Sequence, residues 1–170
     1  AFLGFSVPIS VAVLPGYRGS GKIAAAARAK GVEVLLHLPM EPERYPQVDP
    51  GPGAILMHLT PAEMRSRIRH GLKEIGPVAG IASYMGSRAA TDPEIAEIVL
   101  DETGRQGLFF VDNGVTSRSV MASVARRLGT PCLRSEVILE AGRDAKALKA
   151  LGRQLAGAMN LAEEDRDVVV

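Results

Sequence analysis

The feature that most narrows what this 170-residue chain can fold into is a repeated alternation of short apolar runs with helix-patterned segments. Val7–Leu14, Val32–Leu38, Val78–Ala82, Gly107–Val111 and Pro131–Leu139 read as five strands. Val32–Leu38 is apolar and branched enough to be buried on both faces. Ile23–Lys30, the segments opening at Thr60, Thr91 and Thr116 or Ser117, and Arg143–Asn160 carry helical patterning, and Asp167–Val170 is expected to begin a sixth strand. Five strands alternating with five helices predict parallel βαβ units with right-handed crossovers, hence an α/β fold.

Local signals support these elements. Gly31 is a natural stop for the first helix. Thr60-Pro61-Ala62-Glu63 combines a capping threonine, a first-turn proline and a glutamate at the third helical position, followed by the apolar stripe Met64, Ile68, Leu72 and Ile75. Thr91-Asp92-Pro93-Glu94 opens a helix with Ile95, Ile98 and Val99 inward. Thr116 or Ser117 is expected to cap one with Val120, Met121, Val124 and Leu128 inward, ended by Gly129. Pro39 is expected to end the second strand at once. The proline-rich stretch Glu41–Gly53 can form neither helix nor central strand, and a loop of that length is more often functional than idle.

Composition narrows the function classes. Apolar residues make up 46%, the net charge is +1 and tryptophan is absent, which suits one globular domain and argues against a nucleic-acid partner. The single Cys132 excludes an internal disulfide framework and a cysteine zinc cluster. Ala1–Leu14 lacks the basic leader and cleavage pattern of a signal peptide, and no run reaches membrane-spanning length. The sequence starts and stops in apolar stretches, so residues 1–170 are expected to be one domain without its first and last strands.

Two motifs compete for chemistry. Gly16-Tyr-Arg-Gly-Ser-Gly-Lys22 has the spacing of a phosphate-cradling loop, which would make the chain a nucleotide-binding protein. Ile23, however, stands where a hydroxyl must hold magnesium, so the expectation is a glycine turn that binds no ATP. The second motif is collective. His37 and Glu41, Tyr84 and Arg88, Asp112 with Thr116 and Arg118, and Glu136 with Glu140 all fall at or just past the carboxyl ends of strands. Those ends share one rim in a parallel sheet, and such a rim is suited to a metal or a polyhydroxylated ligand. His58 and His70 read as surface or packing residues, and Gly86-Ser87-Arg88 lacks the nucleophile elbow of serine hydrolases.

Ile9-Ser-Val-Ala-Val-Leu-Pro15, Gly31-Val-Glu-Val-Leu-Leu-His-Leu-Pro-Met-Glu-Pro42, Met85-Gly-Ser-Arg88, Gly107-Leu-Phe-Phe-Val-Asp112 and Thr116-Ser-Arg-Ser-Val120 occur in that order. In these pieces the chain resembles the divergent branch of the polysaccharide deacetylase superfamily. The resemblance implies a distorted or incomplete (β/α) barrel and a periplasmic or extracellular setting. It implies a hydrolase that removes acetyl groups from N-acetylated sugars, using a divalent metal, usually zinc, and an aspartate base. By position it makes His37 a metal ligand, with Glu41 a possible second where wider relatives carry histidine. It casts Asp112 as the catalytic carboxylate, and Tyr84, Arg88 and Arg118 as sugar contacts.

Three features depart from the family pattern. No aspartate pair precedes Phe5, Ala82-Ser83-Tyr84 replaces Asn-Asn-His, and no Gly-His-Pro follows. A zinc site needs about three protein ligands, so weak or absent metal binding is expected of this chain. The readings are a carbohydrate deacetylase-like domain, a non-catalytic glycan- or protein-binding relative of the same fold, and the nucleotide binder.

Overall fold

The computed structural model describes residues 9–135. The elements are β1 (Ser10–Val13), α1 (Ser20–Arg28), β2 (Glu33–Met40), α2 (Pro61–Ile75), β3 (Gly80–Met85), a short 3-10 turn (Ala89–Thr91), α3 (Pro93–Arg105), β4 (Phe109–Asp112), α4 (Met121–Leu128) and β5 (Cys132–Arg134). The strands form one sheet in sequence order. Parallel ladders pair Val13 with Leu36, His37 with Ala82, and Ala82 with Val111. The described sheet is open, as an incomplete (β/α) barrel would be. Glu136, Glu140 and the elements expected beyond them lie outside the described residues.

Strand alternation sorts the side chains. Leu36, Ile81 and Phe110 are in register, so they share a face, and all three are fully buried. Ile68 of α2, Val99 of α3 and Met121 of α4 join them in one core. Burial of each such side chain contributes about 1.5–3 kcal/mol relative to exposure. Gly71 lets α2 lie close, because a Cβ there would stand 3.2 Å from a Leu36 methyl. The opposite face carries Leu35, His37, Pro39, Ala82, Tyr84 and Val111.

The helix starts at Thr60 and Thr91-Asp92 form as their chemistry dictates. The Thr60 hydroxyl accepts from the Glu63 N–H at 3.3 Å, while the Glu63 carboxylate accepts from the Thr60 N–H at 2.8 Å. Asp92 accepts from the N–H groups of Glu94 and Ile95. Gly129 closes α4 in the left-handed conformation, at φ 71°.

The strands are mostly shorter than expected, β1, β4 and β5 covering Ser10–Val13, Phe109–Asp112 and Cys132–Arg134, and several other boundaries differ. α1 starts at Ser20, so the second half of the glycine-rich loop is helical. β3 runs on through Tyr84 to Met85. α4 starts at Met121 with Val120 as N-cap, because Thr116 instead anchors a turn that accepts from the N–H groups of Arg118 and Ser119. Pro39 does not end β2. A strand residue's N–H and C=O point to the same neighbour, and the Pro39 carbonyl accepts from Ile55 N–H at 2.8 Å, away from β3. The missing N–H therefore removes no bond to β3. The Glu41 N–H completes the bridge to the Ile55 carbonyl, so the segment around Ile55 flanks β2 beyond the end of β1.

α2 and α3 are joined by a buried carboxylate. Glu102 is fully buried and accepts from Arg69 Nε at 2.8 Å and Nη2 at 2.9 Å, with Arg65 at 3.5 Å. The Arg69 hydrogen bond, against the opposing effect of burial, holds the Glu102 carboxyl below its ordinary value.

Candidate functional site

At the carboxyl ends of β2 and β3, the ladder pairs His37 with Ala82 and Pro39 with Tyr84. The two rings therefore fall on one face of the sheet, a single side-chain step apart. They meet edge to face, with centroids 4.9 Å apart and planes at 68°. Both residues are half-buried. Burial pushes the His37 imidazole below its ordinary value of 6.5, and a hydrogen bond to the Ser83 main chain opposes this only in part. At neutral pH the ring is uncharged.

Asn113, immediately after β4, completes this corner. Its N–H donates to the Ser83 hydroxyl at 3.0 Å, its side-chain amide donates to the Ser83 carbonyl, and its Nδ2 lies 3.4 Å from His37 Nε2. β2, β3 and the end of β4 are thus tied together where the two rings emerge. The sequence offered no direct signal for Asn113 beyond its place after a strand-ending aspartate.

Glu41 is buried, and its partners come from two other segments. One carboxylate oxygen accepts from the Met57 N–H and the other from Arg88 Nη1, each at 2.8 Å. Its own carbonyl accepts from the N–H groups of Arg88 and Ala89. The chain reaches that position through Met85, a non-glycine residue at φ 58°, followed by Gly86 at φ 83°. Left-handed backbone at a side-chain-bearing residue costs about 1–2 kcal/mol. Gly86 is needed because a Cβ there would press against Met40 Cβ at 3.0 Å. Beyond this turn the Ser87 hydroxyl accepts from the Glu43 N–H, and the Glu43 carboxylate pairs with Arg118. Arg88 and Arg118 are both exposed.

Asp112 stands apart from the two rings. Val111 is in register with Ala82 and hence with His37, so alternation turns Asp112 to the opposite, core-packed face with Phe110. It is 1% exposed, and its oxygens accept from the Gly114 N–H at 3.0 Å and the Ser119 hydroxyl at 2.7 Å. The carboxylate thereby folds the segment after β4. Of the residues expected at the rim, the structure brings His37 and Tyr84 together, gathers Glu41 and Arg88 as an ion pair, and holds Arg118 on Glu43.

The glycine-rich loop after β1 already contains a carboxylate. The Gly16 N–H donates to both Glu74 oxygens at 2.9 Å, which sets negative charge where a phosphate would approach.

Among the described residues, the donor chemistry of the strand ends does not make up a three-ligand zinc site. Both Glu41 oxygens and both Asp112 oxygens already accept hydrogen bonds. A tyrosine stands beside His37 where a histidine would serve. Among the described residues no three His, Cys, Asp or Glu side chains gather as a ligand set.

The fold agrees with comparison to known proteins. The family model of the divergent polysaccharide deacetylases matches residues 1–170, so the chain belongs to that family. It is 24% identical over 162 residues to an uncharacterized protein of Haemophilus influenzae, covering 94% of this chain and 56% of that protein. It is 26% identical over 132 residues to the uncharacterized protein YibQ of Escherichia coli, covering 78% of this chain and 41% of that one. The chain thus spans about half the length of these relatives or less. The crystal structure of an uncharacterized protein of Agrobacterium tumefaciens has the same fold, with a TM-score of 0.83 at 24% identity, over 92% of this chain and 62% of that one. Among the described residues no helix is long and apolar enough to cross a membrane.

Proposed function

We propose that the chain is a carbohydrate-engaging domain of the deacetylase type, which holds an N-acetylated polysaccharide at the carboxyl ends of β2 and β3. The observation that carries this reading is the His37–Tyr84 pair, two half-buried rings meeting edge to face at 4.9 Å on one face of the sheet. An aromatic ring offers an apolar face to a sugar, and the neutral imidazole beside it can donate to or accept from a hydroxyl or acetamido group. Arg88, anchored on buried Glu41, and Arg118, anchored on Glu43, frame the site with oriented N–H donors. Asp112 acts through the segment it folds, positioning Asn113 beside His37. The family supports a periplasmic or extracellular setting, where such polysaccharides lie.

Hydrolysis is the second reading, favoured by the neutral state of His37, the form that ligates metal or accepts a proton. It requires further metal ligands from residues beyond those described. Titration calorimetry with N-acetylglucosamine oligosaccharides tests the first reading. Saturable binding, weakened about five-fold or more in Tyr84→Ala, is expected. Absence of binding by the parent would overturn it. Acetate release from the same oligosaccharides, with and without added zinc, reads the second.

A further inference from the structure

Asn113 meets His37 through an exchange of partners at the end of β4. Alternation carries Asn113 to the same face as Val111, that of His37 and Tyr84, while Asp112 between them is held on the core side. The Asn113 main-chain N–H donates to the Ser83 hydroxyl at 3.0 Å, and the Ser83 carbonyl is taken up by the Asn113 side-chain amide. Ser83 is itself only 2% exposed. Gripped twice by one buried residue, the amide is held in one place and in one orientation.

That orientation fixes the roles of its neighbours. A main-chain carbonyl only accepts, so the amide turns its nitrogen, and not its oxygen, toward Ser83. The amide nitrogen only donates, and its other neighbour, at 3.4 Å, is His37 Nε2. This contact is a hydrogen bond only when Nε2 offers its lone pair. The Ser83 main chain also bonds the imidazole, and that bond favours the charged ring. In the neutral ring, which carries a single proton, a proton on Nε2 would face the amide hydrogens of Asn113. A proton on Nδ1 leaves Nε2 free to accept.

We propose that Asn113 is a positioning residue that holds His37 as the tautomer protonated at Nδ1, so that His37 meets a sugar as a hydrogen-bond donor and selects N-acetylated units over deacetylated ones. The selectivity rests on the carbohydrate reading given above. An acetamido carbonyl accepts from Nδ1–H, whereas the ammonium group of a deacetylated unit is a donor only and gives that proton no partner. The same assignment bears on metal binding, because a metal at Nε2 would have to displace Asn113 first.

The tautomer is read from the His37 ring nitrogens in long-range proton–nitrogen correlation spectra of the labelled, ligand-free protein at neutral pH. Nδ1 protonated and Nε2 bare is the expected pattern. Asn113→Ala leaves the Ser83 carbonyl as the remaining partner and should move the proton to Nε2. Asn113→Asp keeps the shape but can only accept, and should likewise place a proton on Nε2. A proton on Nε2 in the parent, or one that stays on Nδ1 alone in both variants, would overturn the assignment. Titration calorimetry with the hexasaccharides of N-acetylglucosamine and of glucosamine reads the consequence. The parent should prefer the acetylated sugar about five-fold, and Asn113→Ala should lose that preference. Equal affinity of the parent for both sugars, or a preference that survives in Asn113→Ala, would overturn the selectivity and leave the carbohydrate reading standing. A parent that binds neither sugar would overturn the carbohydrate reading and the selectivity with it, whatever the tautomer.

Discussion

Two buried glutamates, Glu102 and Glu41, use similar chemistry in two regions of the molecule. Each has almost no exposed surface, and each carboxylate has both oxygens engaged, with an arginine among the partners. Glu102 draws Arg65 and Arg69 from α2 and Gln106 from the end of its own helix, so its contacts join two packed helices. Glu41 draws the Met57 main chain and Arg88, both from segments at the carboxyl ends of the strands. The first carboxylate holds the scaffold together. The second holds the shape of the rim, so its loss reaches the rings through the backbone that carries them.

The largest effect separating the two regions is expected from Glu102→Ala. It leaves two arginines facing an emptied, buried position and should lower the unfolding free energy by about 2–3 kcal/mol in urea denaturation. Glu102→Met, which fills the space with an apolar chain, should recover most of that loss. Neither variant should change oligosaccharide affinity. A change comparable with that of Tyr84→Ala would erase the distinction between scaffold and rim.

Glu41→Gln keeps the shape but removes the charge that holds Arg88. A loss of about 1–2 kcal/mol in stability is expected, together with weaker oligosaccharide binding. If stability fell without any effect on binding, Glu41 would belong with Glu102.

The sequence disclosed these regions unequally. The helix starts at Thr60 and Asp92 and the stop at Gly129 were legible because capping is settled within three or four residues. Pro39 looks like a strand end in the sequence because the acceptor role of its carbonyl depends on Ile55, which no local pattern reveals. The start of α4 at Met121 is hidden in the sequence because Thr116 and Ser117 both have capping chemistry, while the turn that displaces it ties Ser119 to Asp112 and Thr116. His37 and Tyr84 were visible as polar residues ending apolar runs. That Asp112 faces away from them follows from the β3–β4 register, a long-range quantity. The Glu41–Arg88 pair spans 47 residues and was equally hidden.

The rim can also be converted. Tyr84 lies beside His37 on the same face, so Tyr84→His would offer a second neutral nitrogen there. Zinc affinity about tenfold above the parent is expected by calorimetry. No gain would mean that the two side chains do not converge on a common point.

The smallest effect concerns pH, and it again separates the regions. His37 binds its proton less readily folded than unfolded, so the unfolded chain takes up more protons as pH falls below about 6.5. The stability associated with neutral His37 is present in full above that pH and is lost on acidification toward the lower folded value. Glu102 also has a lowered folded value, so its contribution persists to lower pH, complete above about 4.5 and lost below it. His37→Gln should flatten the upper part of the stability–pH curve and leave the lower part unchanged. An unaltered upper slope would show that His37 titrates as an ordinary exposed imidazole.

The central claim, that the His37–Tyr84 face engages the carbohydrate, is tested most directly by nuclear magnetic resonance. Side-chain signals of His37 and Tyr84 and the amide signal of Asn113 would be followed while the hexasaccharide of N-acetylglucosamine is added. The account predicts saturable shifts at all three, at the same sugar concentration, with the signals of Arg69 and Glu102 unmoved. Binding that leaves His37, Tyr84 and Asn113 unshifted would contradict it.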